Sequence, residues 1–206
     1  MPFPSKTNQE TILATAIEIV EHDGIKSLSI REVARRLELA PNALYHYYKD
    51  RNELEAAIAA EGFRQLLEAI QKAAKRNKSN GATTAEPGTV LRTSHAYLRF
   101  AREHPALYQH MFRKHVPTPG LLAVLDEHET FSKWLLGWMG SSKLVAEGRF
   151  ALFAMLHGIV TLQREEVLEG SLKRDTDRAI SALLIGLSQS AGSTAERRVG
   201  ALERST

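Results

Sequence analysis

The chain contains no cysteine, which excludes disulfide staples, thiolate catalysis and Cys-ligated zinc or iron–sulfur centres together. Aromatic residues are scarce, at 7% of 206 residues, so a local concentration of them calls for a reason. No run approaches the roughly 18 consecutive apolar residues of a membrane-spanning helix. The opening Met1-Pro2-Phe3-Pro4-Ser5-Lys6 lacks the apolar stretch and cleavage pattern of a signal peptide. These absences predict a cytoplasmic protein without a membrane partner. Period-two strand patterns of useful length, internal repeats, a phosphate-cradling glycine loop and a serine-hydrolase elbow are all missing. What remains, 43% hydrophobic and 25% charged residues, is the composition of an ordinary globular chain of one domain or two small ones.

Charge gives little direction. Lys and Arg number 27 against 24 Asp and Glu, for a net charge of +3 and a sequence pI near 9.2. Within the first 52 residues, seven basic side chains (Lys6, Lys26, Arg31, Arg35, Arg36, Lys49, Arg51) face seven acidic ones. A nucleic-acid site there must depend on placement rather than bulk charge.

The apolar pattern is helical throughout, and the expected fold class is all-α. Ile12, Leu13, Ala16, Ile19 and Val20 recur at spacings of three and four, Thr7 with Glu10 reads as a capping box, and Gly24 as a left-handed stop. Ser29 with Glu32 opens a second, short helix carrying Ile30, Val33, Ala34 and Leu37 on one face. After Glu38-Leu39-Ala40, Pro41 suits a first helical turn, because its missing N–H would have no intrahelical partner there. A third helix is expected through Asn42–Tyr48, and Asp50 with Glu53 caps a long fourth one ending at the basic Lys72, Lys75, Arg76 and Lys78. Residues Asn77 to Gly88 read as a loop or linker. Further helices are expected at Thr89–His104, Pro105–Phe112, Gly120–Met139, Leu144–Leu168 and Asp175–Ser190. The domains expected are 1–52, 53–190 and a disordered tail at 191–206.

Two short capped helices separated by a tight turn, buttressed before and after, fit a helix-turn-helix whose second member enters the DNA major groove. In Ala43-Leu44-Tyr45-His46-Tyr47-Tyr48 only Leu44 and Tyr48 need face inward, leaving Pro41, Asn42, Tyr45, His46 and Tyr47 outside. Tyr and His can hydrogen-bond phosphate oxygens, Asn can pair with adenine, and Pro and Tyr can touch thymine methyls.

The segment Ile12–Leu54, above all Leu44-Tyr45-His46-Tyr47-Tyr48-Lys49-Asp50-Arg51-Asn52-Glu53-Leu54, resembles the DNA-binding domain of TetR-family transcriptional regulators. The resemblance implies base reading by Arg31, Pro41, Asn42 and Tyr45. It implies phosphate contacts from Ser29, His46, Tyr47, Lys49 and the backbone N–H of Arg51, with Lys6 on an N-terminal arm. Glu38 stands where the family usually has glycine; in a left-handed turn it would cost about 1 kcal/mol. Ala40 and Ala43 lack hydroxyls often found there, and Arg51 replaces the usual lysine, so the operator is expected to be peculiar to this protein.

The second part reads as a sensor and a dimer interface. Leu144–Leu168 is apolar nearly all round, and a helix of that kind is expected to be buried on two sides. With Asp175–Ser190 it is expected to form a four-helix interface with a second copy. The candidate residues are Leu152, Leu156, Ile159, Val160, Ile180, Leu183, Leu184 and Leu187, with Ala182 and Gly186 permitting close approach. Two recognition helices about 34 Å apart would then read a palindromic operator. Ala96–Phe112 with Phe153-Ala154-Met155-Leu156-His157-Gly158 resembles the sensor domain of a TetR subgroup named for a Trp and a His-Gly pair, with Phe153 in place of the tryptophan. That resemblance implies an effector pocket, with candidate lining Tyr97, Phe100, Tyr108, Met111, Phe112, Trp134, Trp138, Phe153 and His157. Such side chains at helical spacing are more often plain core than pocket.

No cofactor, catalytic residue or metal site is expected. Asp126-Glu127-His128-Glu129 point in different directions on a helix, and His110 and His115, five apart, share no helical face. The function expected is a repressor released by a small hydrophobic or aromatic effector. An activator with the same DNA-binding mode is the alternative, and a metal-dependent helical enzyme a remote one.

Overall fold

The computed structural model describes residues 8–75, 87–137, 142–165, 174–187 and 189. Among these residues all regular structure is helical. The order is α1 (Gln9–Asp23), a 3-10 turn (Ile25–Ser27), α2 (Ile30–Arg36), α3 (Pro41–Leu44), α4 (Arg51–Lys75), α5 (Pro87–Glu103), α6 (Pro105–Met111), α7 (Pro119–Leu136), α8 (Ser142–Arg164) and α9, residues 174–187. The chain divides into two compact units, 1–67 with 100–127 and 68–99 with 128–206. The expected tail, 191–206, and most of the expected linker lie outside the described residues.

In the first unit the apolar periodicity closes a core of Ile12, Ala16, Ile19, Val20, Leu28, Val33, Ala34, Leu44, Leu54 and Ile58, all fully buried. Local signals place the elements around it. The start of α1 corrects the sequence reading. Asn8, not Thr7, is the cap, its Oδ1 accepting from the Thr11 backbone N–H at 2.8 Å. An amide side chain caps as well as a hydroxyl, so one residue of register decided the matter. Ser29 caps α2 as expected, accepting from the Glu32 N–H at 3.0 Å. The Glu32 carboxylate does not return to the cap; it accepts from Arg35 and Arg36 instead, which hold its carboxyl down at about 2. Ahead of α4 the signals run both ways, Glu53 N–H to Asp50 Oδ1 at 2.9 Å and Lys49 N–H to Glu53 Oε2 at 2.8 Å.

The turn between α2 and α3 is a Schellman close. Leu39 N–H reaches Ala34 O at 2.9 Å and Glu38 N–H reaches Arg35 O at 3.2 Å. This geometry needs a left-handed residue at the position just past the cap, and Glu38 supplies it with φ 55°. Pro41 then opens α3.

The third helix is shorter than expected, ending at Leu44 rather than Tyr48. Tyr47 and Tyr48 N–H both bond to Leu44 O, at 2.9 and 3.0 Å. The chain therefore tightens into a turn that swings Tyr48 into the core at 2% exposure.

Beneath this head, α6 packs on α1 and α4. Gly62 permits the approach to α4, because a Cβ there would lie 2.7 Å from Met111 Cγ and 2.8 Å from its Sδ. Ala59, Leu121 and Val124, with Ala60 and Phe63, form a further apolar cluster.

In the second unit Val90, Ala96, Tyr97, Leu135, Leu136, Leu152, Leu156 and Ile180 are buried. Thr93 and Ser94 are buried too, their hydroxyls satisfied by the carbonyls of Thr89 and Val90. In the single chain one side of α8 stays open, the side expected to meet a second copy. Phe150 is 73% exposed and Phe153 and Leu162 lie open beside it. The segment Val145–Arg164 is long and apolar enough to cross a membrane by length and composition, and 17% of its apolar window is buried. Counting unbroken apolar runs missed it, because Glu147 and Arg149 interrupt the run.

Candidate nucleic-acid interface and sensor region

The elements above present one compact set of side chains. With Leu44 and Tyr48 turned inward, Pro41, Asn42, Tyr45 and His46 are exposed on α3 and the turn after it, Tyr45 at 49%. Tyr47 is half-buried rather than outside as expected. Arg31 is exposed on the first turn of α2.

The arginines of α2 divide clearly. Arg35 and Arg36 are tied to Glu32, and Arg36 also to Asp23, whereas Arg31 forms no ion pair among the described residues. Among the described residues, the cation assigned to base reading thus stands outside the clamp on Glu32. Lys49 is exposed on the loop before α4. Ser29 Oγ accepts from Glu32 N–H, and its hydroxyl hydrogen can still donate to a phosphate. Arg51 is the first residue of α4, its guanidinium donating to Glu55 Oε1 at 2.7 Å and to Ile25 O at 2.9 Å. That brace on the 3-10 turn joins residues 26 apart in sequence, and no local pattern announces it. Lys6 lies outside the described residues.

The candidate sensor residues fall in both units, each described on its own. In the first, Phe100, Tyr108 and Met111 are buried and Phe112 half-buried. Phe112 meets Phe63 edge-on at 5.3 Å and Tyr108 at 4.9 Å, while Met111 fills the space over Gly62. In the second, Tyr97 is buried, Trp134 is half-buried at 5.5 Å from Phe131, and Phe153 stacks on His157 at 5.6 Å. Burial, with Arg164 nearby, pushes the His157 imidazole below its ordinary pKa. Trp138 lies outside the described residues.

The candidate interface residues also divide. Leu152, Leu156 and Ile180 are consumed by the unit's own core, while Ile159, Val160, Leu183, Leu184 and Leu187 are half-buried. The open apolar faces are Phe150, Phe153, Ala154 and Leu162 on α8, and Ala182, Ile185 and Gly186 on α9. A Cβ added at Gly158 or Gly186 would meet no heavy atom within 4 Å, so neither glycine marks a close helix crossing within the chain. Of the charges at 126–129, Glu129 pairs with Lys133 at 3.0 Å and Arg149 at 3.4 Å.

Comparison with known proteins agrees with this architecture. Residues 12–58 match the family of bacterial regulatory proteins, tetR family, and residues 90–187 match the tetracyclin repressor-like C-terminal domain. An HTH-type transcriptional regulator of Bacillus subtilis (strain 168), YobS, is 26% identical over 185 residues, covering 86% of this chain and 93% of that protein. Apo ActR from Streptomyces coelicolor shares the fold with a TM-score of 0.68 at 17% identity, over 92% of this chain and 98% of that one. The same protein solved in complex with (S)-DNPA gives 0.64 at 15% identity, over 88% and 97%. With both of its halves matched, the chain belongs to the TetR family of DNA-binding transcriptional regulators.

Proposed function

We propose that this regulator is a homodimeric repressor that binds a palindromic operator through residues 1–52 and is released by a small hydrophobic or aromatic effector held within residues 53–190. The observation that carries the reading is the exposed set Arg31, Pro41, Asn42, Tyr45 and His46, set over a core closed by Leu44 and Tyr48. A core has no use for an exposed tyrosine and histidine there, whereas base edges and phosphates do. The open apolar faces of α8 and α9 support a dimer, since large exposed apolar patches mark interaction sites. Effector control is supported by the ligand complex of ActR. The likeness to the Trp/His-Gly subgroup rests on Phe153 and His157-Gly158. In this reading the effector shifts α4 and so the spacing of the two recognition helices; a coupling of about 1–3 kcal/mol makes a usable switch. As a member of this family of regulators, the protein is placed by this reading in the cytoplasm.

The test is in vitro selection of random duplex DNA by the full-length protein over a salt series. A palindromic consensus whose affinity falls with salt is expected. Absence of enrichment at low salt would overturn the reading.

A further inference from the structure

The first unit carries a cluster that neither DNA reading nor effector binding uses. Glu55 on α4, His110 on α6 and His115 beyond it come together so that one ring nitrogen from each histidine and a Glu55 carboxylate oxygen lie within 4.8 Å of one another. The sequence reading discounted His110 and His115 because residues five apart diverge on a helix. The helix, however, ends at Met111, and the chain folds back so that the two imidazole centroids are 4.6 Å apart.

Hydrogen bonding fixes the state of both rings. His110 Nε2 lies 2.9 Å from the Glu55 backbone oxygen, and His115 Nε2 lies 2.8 Å from the His110 backbone oxygen. A carbonyl oxygen only accepts, so each Nε2 carries a hydrogen, and in the neutral ring the lone pair then sits on Nδ1. This is the support usual for metal-binding imidazoles, which donate the far N–H to a carbonyl and ligate through the other nitrogen. His110 is 1% exposed, and its Nδ1 has no hydrogen-bond partner. A buried acceptor without a partner carries a desolvation cost, and in native proteins such atoms usually have a use.

We infer that Glu55, His110 and His115 form a site for a divalent transition-metal cation of the zinc class. Two imidazoles and one carboxylate suit such an ion and leave a fourth position for water. Bonds of about 2.0–2.1 Å place tetrahedral ligand atoms roughly 3.3 Å apart, so ligand atoms that lie within 4.8 Å of one another draw closer on binding. Glu55 and His115 can supply that movement, both being half-buried, with His115 off the helix. Two cations oppose the ion: Arg51 on Glu55 Oε1, and Arg113, whose charge acts on His110. The second carboxylate oxygen of Glu55 remains to ligate without displacing Arg51.

The test is calorimetric titration of chelator-treated full-length protein with zinc ion, with thermal melting in parallel. One ion per chain is expected, with a rise in melting temperature, because the ion binds only the folded form. His115→Ala, which leaves the buried His110 in place, should weaken binding by at least the roughly 10–100-fold lost when only outer-shell support is removed. It should also abolish the zinc-dependent rise in melting temperature. Glu55→Gln should weaken binding comparably, and His46→Gln should not. No binding by the wild type, or equal binding by wild type and His115→Ala, would overturn the assignment.

Discussion

The two ends of this chain handle their exposed surface in opposite ways. Around α2 and α3 the aliphatic Ile30, Val33 and Leu44 are inside, and what faces water includes Arg31, Asn42, Tyr45 and His46, groups suited to a polyanion. Along α8 and α9 what faces water includes Phe150 and Ile185, groups suited to another apolar face. A surface complete in itself can be specified by short-range signals, because each cap and turn fixes its own neighbourhood. A surface that needs a partner is written only as surplus hydrophobicity, and which of its residues face inward depends on packing the sequence does not spell out.

The largest effect expected is on the apolar end. Phe150→Glu places an unpaired charge in the proposed interface, a burial costing several kcal/mol, so the dimer should dissociate at concentrations where the wild type is dimeric. Sedimentation velocity reads this directly. A Phe150→Glu chain that stayed dimeric would break the contrast between the two ends. Next comes the packing beneath the DNA-binding head. Gly62→Val should cost about 1–3 kcal/mol in urea unfolding, because the new side chain collides with Met111 where α4 meets α6.

At the DNA-reading end, Tyr45→Ala should weaken operator binding by about 1–3 kcal/mol while leaving the dimer intact, measured by fluorescence anisotropy with sedimentation as the control. Loss of dimerisation in that variant would erase the distinction drawn here. A smaller effect is expected at Glu38. Relieving a non-glycine residue at φ 55° through Glu38→Gly should stabilise the chain by about 1 kcal/mol.

How far each end was legible follows the same division. Ser29, Asp50, Pro41 and the strained Glu38 were readable because each acts within three or four residues of itself. The errors there were small, a cap displaced from Thr7 to Asn8 and a helix that closes at Leu44, where two tyrosine N–H groups share one carbonyl. Elsewhere the pattern gave helices but not faces. Leu152, Leu156 and Ile180 read as interface residues and are spent on the unit's own core, because an all-round apolar helix does not say which side meets which neighbour. The Glu55, His110 and His115 cluster was invisible for a related reason. It joins α4 to a turn after α6, and helical spacing was applied to a residue that has left the helix.

The finest test concerns a single charge at the DNA-reading end. Hydrogen bonds from Arg35 and then Arg36 hold the Glu32 carboxyl at about 2 in the fold, against an ordinary value of 4.5. A carboxyl with a depressed folded pKa binds fewer protons folded than unfolded between those values. Its contribution is therefore complete above about 4.5 and is lost as the pH falls toward 2. Glu32 is exposed to solvent screening, so the effect should be small. Glu32→Gln should be slightly less stable than wild type at neutral pH and converge with it in acid, followed by urea unfolding across that range. Should the two chains differ by the same amount at both ends of the range, Glu32 would be acting through shape rather than charge. The clamp on Arg35 and Arg36, outside which Arg31 stands, would then owe nothing to the carboxylate's ionisation.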